Sequence, residues 1–286
     1  MKIVTDSGSD LSLEQCENLG VTMLPLKVQL GNKSYLSGVD LTPEEFYELI
    51  ENTEEMPTTS TPSVGDFVEA YKRLGKEDPD ILSIHLSSGL SGTYSAAVTA
   101  SRLVKQNVTV VDTLTLSSGT GWQVEAAALA AKAGMPLDEI LEKLKRIQEA
   151  TFTFFTLPDL KYLIAGGRVS HLKGLLASLL GIKPIIEVNK TDGKYYDIGK
   201  KRSFHKAIEA IPELIQNRYQ AGTTLRVQLC HAANPEGGNM LKKAMESVFN
   251  CEWLSDCSIG PALGAHTGRG LVGVIYAAKA GYPSIP

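Results

Sequence analysis

Strand-like and helix-like segments alternate through the first 150 residues, and this alternation restricts the fold more than any other feature of the sequence. Short apolar runs at Lys2–Thr5, Ile81–Leu86 and Val108–Val111 are each followed by a polar loop and then by a helix-like stretch. This order predicts a mostly parallel sheet covered by helices. Ligands of such sheets bind beside the carboxyl ends of the strands. We therefore expect the functional site at the loops after these three strands.

The second half of the chain has a different pattern. An aromatic strand is predicted at Thr151–Thr156, and two strands at Pro184–Val188 and Tyr195–Ile198 flank the turn sequence TDGK, which indicates a hairpin. Further strands are predicted at Leu225–His231, Trp253–Ser258 and Leu271–Ala278. The chain is thus predicted to be an α/β protein of two domains. Residues 1–150 would hold the mostly parallel sheet, and residues 151–286 a mixed or antiparallel sheet.

Local signals place several shorter elements. Thr42 and Ser63 are predicted to cap helices, and Glu45 completes a capping box with Thr42. Residues 21–30 are predicted to form one strand, and residues 158–180 a helical region. The segment MPTTSTP, residues 56–62, is predicted to be a rigid polar connector because two prolines bracket it.

Charge and cysteine spacing exclude several classes of function. The net charge is −4, which does not suit a protein that binds nucleic acid through its phosphates. The four cysteines form no C-x-x-C pair, and neither they nor the five histidines cluster as zinc ligands do. No signal peptide is recognisable at the start, and the longest apolar run, residues 174–182, is too short to cross a bilayer. We expect a cytoplasmic protein without an integral membrane segment.

The most informative motif is a loop of hydroxyls and glycines, SSGLSGT, between the Ile81–Leu86 strand and a helix. The unpaired N–H groups and the dipole of a helix N-terminus favour an anion, and Ser91 would lie at or near that end. Plain helix capping explains the same serine. The segment also nearly matches the nucleophile elbow G-x-S-x-G, although Thr93 replaces the last glycine. A serine hydrolase or acyl transferase that uses Ser91 and His266 is therefore kept as the alternative function.

Three other segments carry groups suited to an anion. Residues 57–62, PTTSTP, place four hydroxyls on a stiff backbone, and a linker with an ST-turn is the alternative. A carboxylate or a phosphate would suit Arg168 in GGRVS and the basic patch that residues 200–202, KKR, form with Lys206. A solvated charged surface is the alternative, and it is favoured for the lysines. His266 lies among small residues and is suited either to a ligand oxygen or to a hydrogen bond in the core.

No cofactor is predicted. Residues 268–273, GRGLVG, match G-x-G-x-x-G but precede a strand instead of opening a helix, and no Walker A sequence is present. One group of apolar side chains is suited to line a long cavity, although such residues more often belong to the core. The group consists of Phe152, Phe154, Phe155, Leu175, Leu176, Leu179, Leu180 and Ile182.

Taken in order, these segments resemble the DegV family over nearly the whole chain. The resemblance rests on TDSGSDL at the start, PTTSTPS, LSSGLSGTYSAA, VVDT, the arginine of GGRVS and IGPALGAHTG near the end. It implies two α/β domains that enclose one long-chain fatty acid, such as palmitate, between them.

The resemblance also implies which residues bind the fatty acid. Thr59, with Ser60 beside it, and Ser91 would bind the carboxylate, and Ser88 is a substitute for Ser91 within the same loop. His266 would lie near that head group. The chain would then be a lipid-binding protein and not itself an enzyme.

A protein partner follows from the same resemblance. An ATP-binding subunit of a fatty acid kinase would phosphorylate the bound carboxylate and form an acyl phosphate for phospholipid synthesis. Arg168 and Arg202 would assist the phosphoryl group or the partner. One position departs from the pattern, because relatives often have proline where this chain has Arg269. That charge would either alter head-group affinity or point to solvent.

Overall fold

The structure is a computed structural model that describes residues 1–169 and 181–284. The strands in these ranges are β1 (Lys2–Asp6), β2 (Val21–Leu24), β3 (Lys27–Leu30), β4 (Lys33–Leu36), β5 (Thr58–Ser60), β6 (Asp80–His85), β7 (Asn107–Asp112), β8 (Phe152–Thr156), β9 (Lys183–Val188), β10 (Tyr195–Lys201), β11 (Thr224–His231), β12 (Asn250–Trp253), β13 (Cys257–Ser258) and β14 (Val272–Ala278). The helices are α1 (Leu13–Leu19), α2 (Pro43–Glu51), α3 (Val64–Leu74), α4 (Thr93–Ser101), α5 (Ser118–Lys132), α6 (Leu137–Ala150), α7 (Lys161–Ala165), α8 (Phe204–Ile215), α9 (Pro235–Glu246) and α10 (Pro261–Thr267). Within the described ranges, no helix has the length and apolar character that a membrane crossing requires. Of the helical region predicted over residues 158–180, α7 lies in the described part, and residues 170–180 lie outside it.

Four strands of the first half form a parallel sheet in the order β2-β1-β6-β7. Successive residues of β1 face opposite sides: Ile3 packs in the cluster formed with α5 and α6, and Val4 packs with Phe67 and Tyr71 of α3. Helices therefore cover both faces, which confirms the prediction from the alternating pattern. The loops after β1, β6 and β7 meet at one edge of this sheet.

The second half contains a mixed sheet in the order β10-β9-β8-β14-β11-β12, and β13 also pairs with β11. All of these pairings are antiparallel except those of β11 with β12 and β13. The hairpin predicted around residues 191–194 joins β9 to β10. The strand predicted at Trp253–Ser258 is instead two short strands, β12 and β13. The predicted domain boundary between residues 150 and 151 stays a prediction.

A third sheet, β4-β3-β5, differs from the predicted pattern. The single strand expected over residues 21–30 is two strands, because β2 belongs to the parallel sheet and β3 pairs with β4 and β5. The connector predicted at residues 56–62 is wrong at its centre, where β5 forms an edge strand with Thr59 opposite Val28. Pro57 and Pro62 flank this strand without interrupting it, as proline does at sheet edges.

An unpredicted helix, α10, carries His266. It begins with Pro261 at its first position, where proline suits a helix, and it buries every residue except His266. Its sequence, PALGAHT, has no apolar period, which is why the pattern did not indicate a helix. A Cβ at Gly264 would lie 2.7 Å from the ring of Phe46 on α2, so the glycine allows the two helices to approach closely.

Candidate functional site

One buried carboxylate joins the loops at the carboxyl ends of the parallel strands. Asp6 Oδ1 accepts a hydrogen bond from Gly8 N at 2.8 Å, and Asp6 Oδ2 accepts one from Leu86 N at 3.2 Å. The same Oδ2 atom is 2.8 Å from His85 Nδ1. Because a buried carboxylate needs such partners, Asp6 fixes the loops after β1 and β6 relative to each other.

The His85 ring continues into a chain of buried polar groups. Its Nε2 is 2.7 Å from Ser83 Oγ, which is 2.8 Å from the Tyr71 hydroxyl oxygen. Asp6, His85 and Ser83 thus make the contacts of a Ser-His-Asp triad. Both His85 and Ser83 are 0% exposed, so no substrate reaches the serine. We assign this row of hydrogen-bonded side chains a structural role.

The hydroxyl loop after β6 is held against the turn between β9 and β10. Ser87 Oγ donates a hydrogen bond to Gly193 O at 2.8 Å, and Gly89 N donates one to Ser87 Oγ at 3.0 Å. Ser88 N donates to Asp112 Oδ1 at 3.2 Å, and Ser88 is exposed. The structure therefore places Ser88 toward solvent.

Ser91 lies just before the N-terminus of α4. The helix begins at Thr93 with Gly92 as its N-cap residue, so Ser91 is near the N-terminus, as predicted, without being the cap itself. Ser91 Oγ is 2.9 Å from Thr93 Oγ1 and accepts a hydrogen bond from Thr93 N at 3.3 Å. A Cβ at Gly92 would lie 3.8 Å from Thr61 Cγ2. The Ser91 loop therefore lies beside the segment that carries Thr59.

Thr59 and His266, which are 207 positions apart, are in direct contact, with 2.7 Å between Thr59 Oγ1 and His266 Nε2. Side chains alternate along β5, so Thr59 is half-buried while Thr58 and Ser60 are exposed. Ser60 therefore does not share this contact. The hydroxyl segment and the histidine, which the sequence indicated separately, belong to one polar site.

The His266 imidazole is neutral at physiological pH. Burial, with a smaller contribution from the positive charge of Arg168, lowers the pKa of His266 to about 4. His266 Nδ1 is buried without a hydrogen-bond partner among the described residues, and a Cβ at Gly166 would overlap it. Because an unpaired buried N–H is rarer than an unpaired acceptor, we assign the ring hydrogen to Nε2, directed at Thr59 Oγ1.

Arg168 brings a positive charge to the same place. Its Nε donates a hydrogen bond to Leu90 O at 3.3 Å, and its Nη1 donates one to Gly166 O. The Arg168 charge also opposes the raised pKa that burial gives Tyr195, so the guanidinium lies near that ring as well. Neither Tyr195 nor Gly166 has a sequence signal that would have placed it at this site.

A small apolar cavity, of about 30 Å³, is lined in part by α10, the helix that carries His266. Tyr195 and the α10 residue Leu263 line it, together with Leu116 and Ile275. Two members of the predicted apolar group, Phe154 and Phe155, line the cavity too. The Phe152 ring instead stacks on the Tyr276 ring, with 5.5 Å between the ring centroids. Ile182 is half-buried just before β9, and the four leucines of that group, residues 175, 176, 179 and 180, lie outside the described residues.

Two predicted arginines lie apart from the contact between Thr59 and His266. Arg202 follows the end of β10 and is exposed, and in the described part of the chain no hydrogen bond or ion pair holds its side chain. Arg269 pairs with Glu51 on α2, with 2.5 Å between Nη1 and Oε2. At this position the sequence departs from the family pattern. The ion pair shows that the arginine there directs its charge at a surface carboxylate.

The alternative function as a serine hydrolase lacks its central contact. His266 Nε2 contacts Thr59, while the Ser91 hydroxyl contacts Thr93. Within the described ranges, no carboxylate bonds His266 Nδ1, so nothing orients the ring as a general base. The described residues therefore do not form the Ser91–His266 pair that this alternative requires.

The buried His266 should reduce stability as the pH falls from about 6.5 to about 4. The unfolded chain protonates this histidine near its ordinary pKa of 6.5, whereas the folded protein keeps it neutral down to about 4. The unfolded state binds more protons in this window, so the free energy of unfolding rises with pH across it. Urea unfolding at about pH 4.5 and about pH 7 should show a smaller loss on acidification in His266→Gln than in the wild type. Equal losses in both proteins would contradict the lowered pKa.

Known proteins match this chain in sequence and in structure over nearly its whole length. A family model described as "Uncharacterised protein, DegV family" matches residues 1–279. A DegV domain-containing protein of Staphylococcus aureus (strain COL) is 38% identical over 277 residues, which are 97% of this chain and 98% of the relative. DegV, a fatty acid binding protein from Bacillus subtilis, matches in structure with a TM-score of 0.86 at 30% identity, covering 97% of this chain and 99% of that one. A DegV lipid binding protein from Thermotoga maritima gives 0.85 at 31% identity, with 97% and 98% covered.

Proposed function

Because the chain belongs to the DegV family, we propose that it binds one long-chain fatty acid, such as palmitate, and holds the carboxylate beside Thr59 and His266. The similar proteins from B. subtilis and T. maritima are described as fatty acid binding and lipid binding. One observation carries the proposal for this chain. A threonine hydroxyl is bonded to a neutral buried imidazole next to an arginine, and the helix that carries the imidazole also lines an apolar cavity.

The polar residues are suited to a carboxylate. When His266 Nε2–H donates to Thr59 Oγ1, the hydrogen of the Thr59 hydroxyl is available to a ligand oxygen. The Ser91 hydroxyl offers a second donor, and the Arg168 guanidinium supplies the opposite charge. A carboxylate buried without such donors would be strongly unfavourable.

The apolar cavity would receive the acyl chain. Burial contributes ~0.8 kcal/mol for each CH₂ group, so affinity should grow with acyl-chain length until no further apolar surface is available to the acyl chain. The cavity has a volume of about 30 Å³, whereas pockets that bind small molecules have ~300–1,000 Å³. Binding a whole chain therefore requires the lining side chains to move apart.

Mass spectrometry of an organic extract from the purified, folded protein tests the proposal. We expect one fatty acid for each protein chain, and we expect added fatty acid to raise the melting temperature of delipidated protein. If no lipid is extracted and no fatty acid raises the melting temperature, the proposed function is wrong.

We further propose that the bound carboxylate is presented to the ATP-binding subunit of a fatty acid kinase, which would form an acyl phosphate for lipid metabolism. The chain would then bind the substrate without turning it over alone. In support, residues 268–273 lead into β14 instead of opening a helix, so their G-x-G-x-x-G pattern lacks the context of a nucleotide-binding loop. Arg202 is exposed and suited to a phosphate or an acidic group on a partner.

Replacing Arg202 with alanine should leave fatty acid affinity unchanged and lower kinase-coupled acyl-phosphate formation about tenfold or more, the range for a lost charge-assisted hydrogen bond. The measurement is the coupled rate with the partner kinase at saturating ATP, beside a fatty acid Kd. Arg73→Ala, which removes an exposed arginine on α3, outside this basic patch, serves as the control. A normal coupled rate in Arg202→Ala would remove Arg202 from the partner surface.

A further inference from the structure

Side chains from the first half of the chain hold the start of α10, the helix that carries His266. Asp10 Oδ1 accepts a hydrogen bond from Gly260 N at 3.0 Å. The Tyr47 hydroxyl and Ser37 Oγ bond backbone atoms within residues 259–262, each also at 3.0 Å. The position of α10 therefore depends on bonds from outside its own half.

The second oxygen of the Asp10 carboxyl group bonds the start of another helix. Ser117 Oγ donates to Asp10 Oδ2 at 2.6 Å, and Ser117 immediately precedes α5. Ser117 N also donates a hydrogen bond to Gly8 O at 2.7 Å, so the backbone near Asp10 holds Ser117 through a second bond. We call Asp10, Ser117 and Gly260 the Asp10 junction. A single carboxyl group thus connects the start of α5 with the start of α10.

Backbone strain is concentrated at this junction and in the loop before α5. Asp10 and Ser117 of the junction have φ values of 52° and 53°, and Leu114, three residues before Ser117, has a φ of 50°; this is the region that residues with a side chain rarely adopt. They are three of the four such residues in the described part of the chain. Strain of this kind persists where the surrounding structure imposes it, and it is typical of ligand-binding sites.

The two partners of Asp10 belong to two segments that line the apolar cavity. Leu116 and Ser117, just before α5, line it. Ile259 and Leu263, which flank Gly260 in sequence, line it as well. The Asp10 junction therefore fixes these two lining segments relative to each other.

The carboxyl group at this position is unfavourable to bury. Burial raises the pKa of Asp10 to about 7, although the bonds from Ser117 and Gly260 oppose the rise. Apolar groups of similar shape in place of the carboxyl group and of both its partners could be nearly neutral for stability. The two directed bonds, one to each lining segment, give the residue a geometric role that an apolar side chain would not perform.

We propose that Asp10 is a positioning residue that fixes the two cavity-lining segments relative to each other and thereby sets which acyl-chain lengths the protein prefers. This inference rests on the proposed binding of fatty acids. It predicts that removing a hydrogen bond of the Asp10 junction changes how affinity depends on acyl-chain length, and not only the affinity itself.

The test compares wild-type protein with Asp10→Asn and Ser117→Ala in binding a series of saturated fatty acids of about 12 to about 18 carbons. Ser117→Ala keeps the bond from Gly260 to Asp10, so it reports on the junction even if Asp10→Asn does not fold. We expect the ratio of Kd values between the longest and shortest acids to change about fourfold or more, the equivalent of one buried methylene group. Asp66→Asn, which alters a helix-capping carboxylate on α3, should leave the ratio unchanged.

The outcomes separate the two proposals. If the wild type binds the acids and both variants keep its ratio, or weaken every acid by the same factor, the inference about Asp10 is wrong and the proposed function stands. If the wild type binds none of the acids, the proposed function fails and the inference fails with it.

Discussion

Replacing Thr59 with valine should weaken fatty acid binding by about tenfold to a hundredfold. Valine keeps the shape of threonine and removes only the hydroxyl, which contacts His266 Nε2 at 2.7 Å. In the proposed complex that hydroxyl donates to the ligand carboxylate, and a hydrogen bond to a charged group contributes ~1.5–3 kcal/mol. The change also leaves the Nε2–H group of His266 without its acceptor. Isothermal titration of delipidated protein with palmitate measures the loss.

Thr58→Val is the matched control for this prediction. Thr58 is adjacent on the same strand, but it is exposed on the opposite face of β5, so its replacement should leave affinity unchanged. Ser91→Ala should weaken binding as well, while both site variants keep the wild-type fold. Unchanged affinity in Thr59→Val and in Ser91→Ala would remove both residues from the head-group site.

Replacing Gly166 with alanine should destabilise the protein by ~1–3 kcal/mol, the range for overpacking a filled site, and should also disrupt fatty acid binding. The backbone does not cause this effect, because Gly166 has a φ of −74°, which alanine adopts freely. The cause is the added methyl group, which would overlap His266 Nδ1 and lie 3.0 Å from Cε1 of the same ring. The imidazole must then turn away, and its contact with Thr59 is lost.

A double-mutant cycle isolates this cause. In a His266→Ala background the ring is absent, so adding Gly166→Ala should have a much smaller effect on urea unfolding than it has in the wild type. Gly65→Ala is the control, because its methyl group would meet only Ser63 Oγ, at 3.5 Å. The same loss of stability in both backgrounds would show that the contact between Gly166 and His266 is not the reason.

The layered architecture was predictable because it depends on local patterns. β1, β6 and β7 lie within one or two residues of their predicted bounds, since the alternation of apolar runs reports directly which segments are buried. Both predicted caps, Thr42 and Ser63, and the predicted capping box of Thr42 with Glu45 form, because capping needs only residues within one turn.

Short elements without an apolar period were not predictable. β5 has three residues between two prolines, and its backbone bonds go to β3, a partner that its own composition does not indicate. Small residues make up much of α10, and side chains from distant segments, Asp10 and Ser37 among them, hold its start. Both elements owe their structure to partners far away in the sequence.

The sequence by itself determined the α/β layers, and its resemblance to a family pointed to Thr59, Ser91, Arg168 and His266. Only the tertiary structure decided which of these groups touch. It placed Thr59 on His266, directed Ser60 and Ser88 to solvent, and paired Arg269 with Glu51. Distances between side chains some 200 positions apart follow from how sheets and helices pack, whereas a sequence pattern reports only which face of each element is buried.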